Sequence, residues 1–476
     1  MVQIVTLAST LFGDTDATIA LLNDPRFTNI STLPVQNTAP TVTRPVTPFV
    51  DENGFPFGNA TGQFNYALDQ KFVTPHSIQY SFGFQRELGG NFLLDVSYVG
   101  RQGRKLFTQP DAAQVLDFKD LASGQFMLAA FNALQAQLET GVAAGAVTNQ
   151  PWFENQISAA IGAPCSVLPR GSCTRFLAGT SLRTLIVRGD TSDTLQALVA
   201  NGLLNPNVGM SGQFSDNVYI SNQGSSSYNG MLIGLRKRFS RGLQFDFNYT
   251  LSHSIDNQSS IVNTVIGGLV CDIRNLRVCR GNSDFDIRHL WNANFIYELP
   301  FGKGRMFGSN ANGLLNSVIG GWTVTGIFVA RSGLPFSTTT NSFPVGFAFN
   351  SPAVESGGAA ALQGQIHTAT GGTIQFFSDP TATLDSLSFP RHGEIGNRNT
   401  LRGPKFWTTD LAVLKNFTLP WSETQRLQLR WEMYNAFNHN SFNLPNSNIT
   451  SASLGQITSL QVIRGRCSSR YALSFS

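Results

Sequence analysis

Apolar and polar residues alternate with a period of two in several runs of about ten residues, the pattern of a β-strand with two unlike faces. The first run is His76 to Leu88, in which Phe82 and Phe84 share one face and Gln85 lies on the other. Two glycines follow, and the alternation resumes from Phe92 to Tyr98. Two alternating runs joined by a glycine pair predict a β-hairpin.

The same hairpin unit occurs three more times, and a ninth alternating run lies at the end of the sequence. The further strands are predicted at Tyr228–Phe239, Leu243–Ser252, Arg288–Leu299, Trp322–Phe328, Trp407–Phe417, Leu427–Met433 and Arg470–Phe475. The fold class is therefore all-β and antiparallel, with about nine recognisable strands.

The connections between hairpins are much longer than the turns within them. They cover residues 102–225, 255–286, 334–406 and 438–468 and are rich in Gly, Asn, Ser, Thr and Pro. Short turns on one side and long loops on the other are typical of an outer-membrane β-barrel, whose apolar face contacts lipid. A soluble β-sandwich, in which one face of each strand is buried against a second sheet, is the alternative.

Composition agrees with a membrane β-protein. Only 13% of the residues are charged, against about 25% in soluble domains, and there are 37 Phe. No run approaches the roughly 18 apolar residues of a membrane-spanning helix. A net charge of +4 gives no strongly basic surface for nucleic acid. We therefore expect a protein of the outer membrane of a Gram-negative bacterium, with outer-membrane lipid as a partner.

The strand count predicts that the sequence is part of a larger barrel. Complete bacterial single-chain barrels have an even number of strands, whereas nine are recognised here. We interpret residues 1–75 as part of an extracellular loop at a truncated N-terminus, because this stretch has several prolines and no sustained alternation. Residues 76–476 then form the C-terminal part of the barrel, with a long loop insertion at 102–225.

The five cysteines suggest loop crosslinks in an oxidising compartment. Cys165 and Cys173 are eight residues apart in one polar segment, Cys271 and Cys279 have the same spacing in another, and Cys467 is left over. We predict two short disulfides. The alternative is five free thiols in a reducing compartment.

The densest polar cluster is Ser283–His289. Its Asp284 and Asp286 are able to offer carboxylates to a cation, with His289 as a third ligand. We favour the other interpretation, in which these carboxylates pair with arginines at the extracellular end of a strand. Because no HExxH, GxSxG or phosphate-binding glycine motif occurs, we predict no enzyme activity, no cofactor and no metal centre.

Polar positions opposite the apolar faces are predicted to line the barrel interior. They are Gln244, Asp246, Asn248, Arg430 and Glu432. The interior of a large barrel is polar in any case. The default interpretation is therefore that these residues line the wall, and the other is that they contact a solute or the plug.

Several short strings resemble the C-terminal barrel of Oar-like TonB-dependent transporters. In order they are FQREL at 84–88, SYNG at 227–230, LRKRF at 235–239, YTLSHSID at 249–256, SDFDIRH at 283–289, YELPFG at 297–302, RSGLPF at 331–336 and NAFNH at 435–439. The resemblance covers about residue 65 to the end. It implies a 22-stranded barrel whose N-terminal plug carries the TonB box, and neither plug nor box occurs in this sequence.

The resemblance also implies partners and a function. Barrels of this family commonly end in an aromatic residue that the barrel-assembly machinery recognises, and Phe475 stands next to the last position. The implied function is to bind an unidentified solute outside the cell and import it through the TonB system, once the barrel is complete with its plug. The alternative is a surface anchor whose loops mediate adhesion or scaffold contacts without transport.

Overall fold

The computed structural model describes residues 64–69, 71–111, 113–205, 208–209, 216–259, 272–347, 349–357, 362–369, 371–418, 425–461 and 466–475. Most of the predicted N-terminal loop segment, residues 1–63, lies outside them. The strands are β1 (Phe64–Leu68), β2 (His76–Leu88), β3 (Phe92–Thr108), β4 (Asp216–Ser240), β5 (Leu243–Asp256), β6 (Gly281–Asn282), β7 (His289–Glu298), β8 (Trp322–Arg331), β9 (Pro335–Phe336), β10 (Val354–Glu355), β11 (Gly364–Thr368), β12 (Ile374–Phe377), β13 (Leu387–Ser388), β14 (Leu401–Arg402), β15 (Phe406–Thr418), β16 (Gln425–Tyr434), β17 (Gln456–Ile457) and β18 (Arg466–Phe475).

The nine long strands that the alternation predicts form one sheet, in the order β2-β3-β4-β5-β7-β8-β15-β16-β18. Every neighbouring pair is antiparallel. Each strand therefore lies beside the next long strand of the chain, and the predicted all-β antiparallel fold class is confirmed.

Several strands extend beyond their predicted ends, and β3 and β4 extend the furthest. β3 continues to Thr108 and β4 begins at Asp216, and this extension pairs Gln102 with Ser227 and Arg104 with Ser225. Both faces of the extension carry polar side chains, so it has no apolar alternation to detect in the sequence. β1 adds a parallel pairing to the same end of β4.

The apolar residues of this sheet do not form a core. The three clusters of buried apolar residues lie in residues 115–204, in residues 336–457 outside the long strands, and around Cys279, Val345 and Phe349. By contrast, Phe82 in β2 is 77% exposed. A sandwich would bury such residues against a second sheet, so the described part of the chain does not support that alternative.

The connection between β3 and β4 is helical, which corrects its interpretation as a long structureless loop at 102–225. The helices of the chain are α1 (Met127–Glu139), α2 (Pro151–Ile161), α3 (Cys173–Ala178), α4 (Leu182–Val187), α5 (Thr191–Ala200), α6 (Gly313–Ile319) and α7 (Pro380–Asp385). α1 reads MLAAFNALQAQLE, mostly strong helix formers, and its 3.6-residue period is invisible to a search for period two. No helix of the described residues has the length and apolar character needed to cross a membrane.

Helices α1 to α5 form one packed unit with the long loops, and together they are called the cap: residues 109–205, 272–286, 332–404 and 436–461. The side chains of Phe131, Trp152 and Phe153 are fully buried inside the helical part. The His392 ring, from a distant loop, lies 4.8 Å from the Phe131 ring and contacts the carbonyl oxygen of Ile186 at 2.9 Å. The loops at this end of the sheet are therefore an ordered layer with its own core.

Candidate functional site

The strand register brings the predicted interior residues onto one face of the sheet. Gln244 lies opposite Ile296, Ile296 opposite Thr325, Thr325 opposite Ala412, and Ala412 opposite Glu432. Directly opposed residues of an antiparallel ladder share a face, so Gln244 and Glu432 lie on the same face, four strands apart. We call it the polar wall.

Charged side chains on the polar wall are paired with each other. The Arg236 Nε donates to the Asp246 Oδ1 at 2.5 Å, and the Arg430 Nε lies 2.8 Å from the Glu432 Oε1. The side chains of Arg236 and Arg430 are 63% and 45% exposed. Asn248 follows Asp246 by two positions and shares its face. The wall therefore presents both signs of charge to the space in front of the sheet.

Two depressions indent the polar wall. The first has a volume of about 250 Å³ and includes Asp95, Arg236, Asp246 and Asn248 in its lining. Two carboxylates, a guanidinium and an amide give it both hydrogen-bond donors and acceptors.

The second depression has a volume of about 420 Å³ and includes Asn294, Asp410, Arg430, Glu432 and Tyr434. The Tyr434 hydroxyl donates to the Glu432 Oε2 at 3.1 Å, and the Asp410 Oδ1 accepts the backbone N–H of Asn435 at 2.8 Å. Its size falls within the range of small-molecule sites, roughly 300–1,000 Å³. Four of the five predicted interior residues line one depression or the other, and Gln244 lines neither.

The opposite face of the sheet is apolar and carries aromatic residues near both ends. On β5 the apolar positions run from Leu243 to Leu251, eight residues apart. Eight steps of about 3.4 Å give about 27 Å along the strand, or about 20 Å at a tilt of about 40°. The Tyr249 and Trp291 rings stack 5.4 Å apart near the cap. The apolar run on β5 is therefore close in height to the lipid-facing band of a membrane barrel, about 25 Å.

The carboxylates of the 283–289 segment bind arginines, as the favoured interpretation predicts. Asp286 is buried and accepts hydrogen bonds from the guanidinium of Arg402 and, at 2.5 Å, from the backbone N–H of Ser254. Arg288 approaches the same carboxylate at 3.9 Å. The His289 Nδ1 lies 2.9 Å from the hydroxyl of Tyr249.

A second arginine joins the same segment to the end of β5. The Arg398 Nη2 lies 2.9 Å from the Asp256 Oδ1 and 3.4 Å from the Asp284 Oδ1. Asn399 also donates to Asp284, at 2.6 Å. The segment therefore ties the loop that contains Arg398 and Arg402 to the sheet.

One predicted cysteine pair is bonded in the cap. A disulfide joins Cys165 to Cys173, with a Cα–Cα distance of 5.1 Å. Glu154 lies beside them and accepts the backbone N–H of Cys173 at 3.1 Å. This is the one group of possible metal ligands within the described ranges, and bonded sulfurs are not thiolate ligands. Cys271 lies outside the described residues, so the second pairing stays a prediction.

Two buried groups in the cap have shifted pKa values of opposite sign. Burial, followed by the charge of Asp193, raises the pKa of Asp190 from 3.8 to about 7. Burial lowers the pKa of His392 from 6.5 to about 3. Asp190 therefore stabilises the cap at low pH, and this contribution is lost as the pH rises from about 4 to 7. The contribution of His392 is present above about 6.5 and is lost as the pH falls.

Sequence reasoning missed several members of the polar wall and the cap. Arg236 belongs to a basic triplet in which alternation is hard to see, although Gly234 before it marks the same face. Nothing local connects Arg402 with Asp286, because their contact depends on a long-range loop packing. Phe475 is the last residue of β18 and pairs with Gln425, and its role in barrel assembly stays a prediction.

Comparison with protein families shows the family to which the chain belongs. A family model for the outer membrane beta barrel domain matches residues 9–466. The match covers more than half of the sequence, so the chain belongs to the outer membrane beta barrel domain family, and it is located in the outer membrane. No curated protein matches the chain.

Among solved structures, the chain is similar to several transporters and receptors at low identity. It shares 9% identity with the outer membrane transporter YddB from Escherichia coli, with a TM-score of 0.34, covering 87% of this chain and 34% of that one. For the FrpB iron transporter from Neisseria meningitidis the identity is 10%, the TM-score 0.30 and the coverage 86% and 33%. For the ferric yersiniabactin uptake receptor FyuA from Yersinia pestis they are 10%, 0.28, and 84% and 29%. The chain spans about a third of the length of these structures.

Proposed function

We propose that the chain forms part of the barrel wall of a TonB-dependent outer-membrane transporter of the Oar-like type. The polar wall carries this proposal. The interior of any large barrel is polar, so the proposal depends on the two depressions, whose carboxylates, guanidinium groups and amides supply contacts for a solute that passes inside. In this function the cap faces the outside, because long loops of outer-membrane barrels are extracellular.

In the proposed mechanism the cap and the polar wall bind the solute one after the other. The cap binds the solute first, and the wall then receives it as the interior opens. The paired charges Arg236–Asp246 and Arg430–Glu432 are poised to exchange partners with a polar solute or with a plug domain, because their guanidinium groups are exposed. Energy comes from the TonB system through the plug of the complete protein.

A surface anchor without transport is the second candidate, and one observation favours it. The helical part of the cap has its own core of twenty buried residues, so it resembles a displayed module more than a simple loop. In that function the barrel holds the module at the surface, and the polar wall has no solute to bind.

Solute depletion distinguishes the two functions. Three strains are grown in one complex medium: cells that express this chain joined to a plug domain, cells without the gene, and cells that lack the energy-transducing partner. Mass spectrometry measures which solutes disappear from the medium. Transport predicts a solute whose depletion needs both the gene and the partner. The Glu432→Gln variant should slow its depletion, whereas Glu87→Gln, at an exposed pair outside both depressions, should not.

Equal depletion by all three strains would refute the transport proposal. If cells that lack residues 113–205 then also lose binding to surfaces or to other cells, the anchor function replaces it.

A further inference from the structure

The connection between β7 and β8, at the end of the sheet opposite the cap, exposes an apolar patch. It contains α6 and a preceding hairpin-like turn, in which Phe301 and Phe307 lie 5.5 Å apart between ring centroids. Exposed apolar side chains of the connection are Phe301, Met306, Phe307, Leu314, Leu315 and Val318. Leu314 is 81% exposed and Met306 is 79% exposed. Such a concentration on a surface indicates a contact with something apolar.

The helix presents one apolar stripe. Leu314, Leu315 and Val318 have the spacing i, i+1 and i+4, which places them on one side of a helix. Asn316 faces elsewhere, because its Oδ1 accepts the backbone N–H of Lys303 at 2.7 Å. Ile319 also packs on the turn: a Cβ added at Gly308 would lie 2.8 Å from its Cδ1. The turn therefore packs against one side of α6, and Leu314 and Leu315 stay exposed on another side.

The end of α6 is bound to the lipid-facing side of the sheet. The Trp322 Nε1 donates to the carbonyl oxygen of Val318 at 2.8 Å, and the Lys415 Nζ donates to the same oxygen at 3.3 Å. Trp322 and Lys415 are directly opposed in the ladder, on the apolar face. The Trp322 ring also stacks 6.1 Å from that of Trp431 on this face. The apolar patch is thus continuous with the surface that contacts lipid.

We propose that α6 and its turn form an interfacial anchor that inserts into the periplasmic leaflet of the outer membrane. The occupant is phospholipid. Short turns of outer-membrane barrels face the periplasm, so this end of the sheet meets the inner leaflet. The stripe of Leu314, Leu315 and Val318 contacts acyl chains, and Trp322 occupies the interfacial level that amphipathic aromatic rings favour.

Charge around the patch fits a phospholipid surface. Lys303 and Arg305 lie in the turn with exposed side chains, and the Arg305 Nη2 lies 2.9 Å from the Glu298 Oε2. Exposed cationic side chains at such a boundary extend toward phosphate groups while their stems stay in the apolar layer. Lys415 is buried, donates to the carbonyl oxygens of Val318 and Gly320, and lies 5.1 Å from the Trp322 ring centroid, so it holds the end of α6 on the sheet. A periplasmic protein partner has no comparable support, because the patch continues the lipid-facing surface.

A depth measurement with spin labels tests the proposal. The full chain, with Cys467 replaced by Ser, carries a nitroxide at Leu314→Cys or Val318→Cys and is placed in vesicles of phosphatidylethanolamine and phosphatidylglycerol. The control is Leu121→Cys in the cap, where the side chain is 91% exposed, and the Cys467→Ser protein alone supplies the background. Collision rates are measured with oxygen, which concentrates in acyl chains, and with a water-soluble nickel complex.

The expected result is a higher oxygen-to-nickel ratio at positions 314 and 318 than at 121, with nickel accessibility lost at the first two. Equal nickel accessibility at all three positions would overturn the proposal. Shielding of position 314 from both reagents, appearing only when soluble periplasmic protein is added, would overturn it in favour of a protein contact. Both labelled positions are exposed, so the substitutions remove little packing.

Discussion

An arginine in place of Phe247 tests the orientation of the sheet. Phe247 lies four residues from each end of the apolar run on β5, opposite Leu235 and Ala293. Four steps of about 3.4 Å at a tilt of about 40° place it about 10 Å from either boundary. An arginine so near the midplane should cost about 2–4 kcal/mol. With a slope of about 2 kcal/mol per molar urea, the unfolding midpoint should fall by about 1–2 M.

The matched control is Asn248→Arg, one residue along the same strand. Asn248 lies opposite Gly234 and Asn292 on the polar wall, where an arginine meets water and the nearby carboxylate of Asp246. The assay is the fraction of protein that remains folded on an unheated gel, measured in outer-membrane vesicles as urea is raised. An equal loss at both positions, or a larger loss at Asn248, would refute the assignment of the faces.

The cap offers three further predictions. Burial also raises the pKa of Asp193 in α5, so Asp190→Asn removes one of two acidic contributions that fall with pH and leaves the opposing contribution of His392; hydrogen exchange should therefore show the slope of α5 stability against pH becoming more positive between about 4 and 6.5 than in the unsubstituted protein, and an unchanged slope would contradict this. Cys165→Ser should cost about 2–3 kcal/mol by releasing a loop of eight residues, and a non-reducing digest of the unsubstituted protein should contain the peptide of Cys165 linked to that of Cys173. Asp286→Ala leaves the Arg402 guanidinium without its buried carboxylate and should lower the folding stability by about 3 kcal/mol or more. Limited proteolysis should then cut the 282–286 segment faster. Unchanged cleavage would show that this pair does not order the cap.

The sequence was most informative about the membrane-spanning part, where physics imposes a simple pattern. A strand with lipid on one side and water on the other must alternate, so all nine long strands were predictable. The same alternation assigned Asp246 and Glu432 to one face, although only the register shows which of their neighbours share it. Resemblance supplied the family type, and the family match supports it at the level of the outer-membrane barrel.

The cap and the apolar patch were not predictable by the same argument. Helix α1 follows a period of 3.6 residues instead of two. The helices of the cap bury Trp152 and Phe153 against each other rather than against a sheet. Asp286 and Arg402 meet only after two loops have folded over the end of the sheet. Leu314 lies between the predicted strands Arg288–Leu299 and Trp322–Phe328, where no element was predicted, and its significance depends on where α6 lies beside Trp322.

The central claim is that the sheet spans the outer membrane, with the cap outside and the short turns in the periplasm. Cysteine labelling in intact cells tests it most directly, with Leu121→Cys in the cap, where Leu121 is 91% exposed, and Gly89→Cys in the turn between β2 and β3, where an added Cβ meets no atom within 4 Å. A thiol reagent that cannot cross the outer membrane should label position 121 in intact cells and position 89 only after the outer membrane is permeabilised. Labelling of position 89 in intact cells, or protection of position 121, would contradict the account.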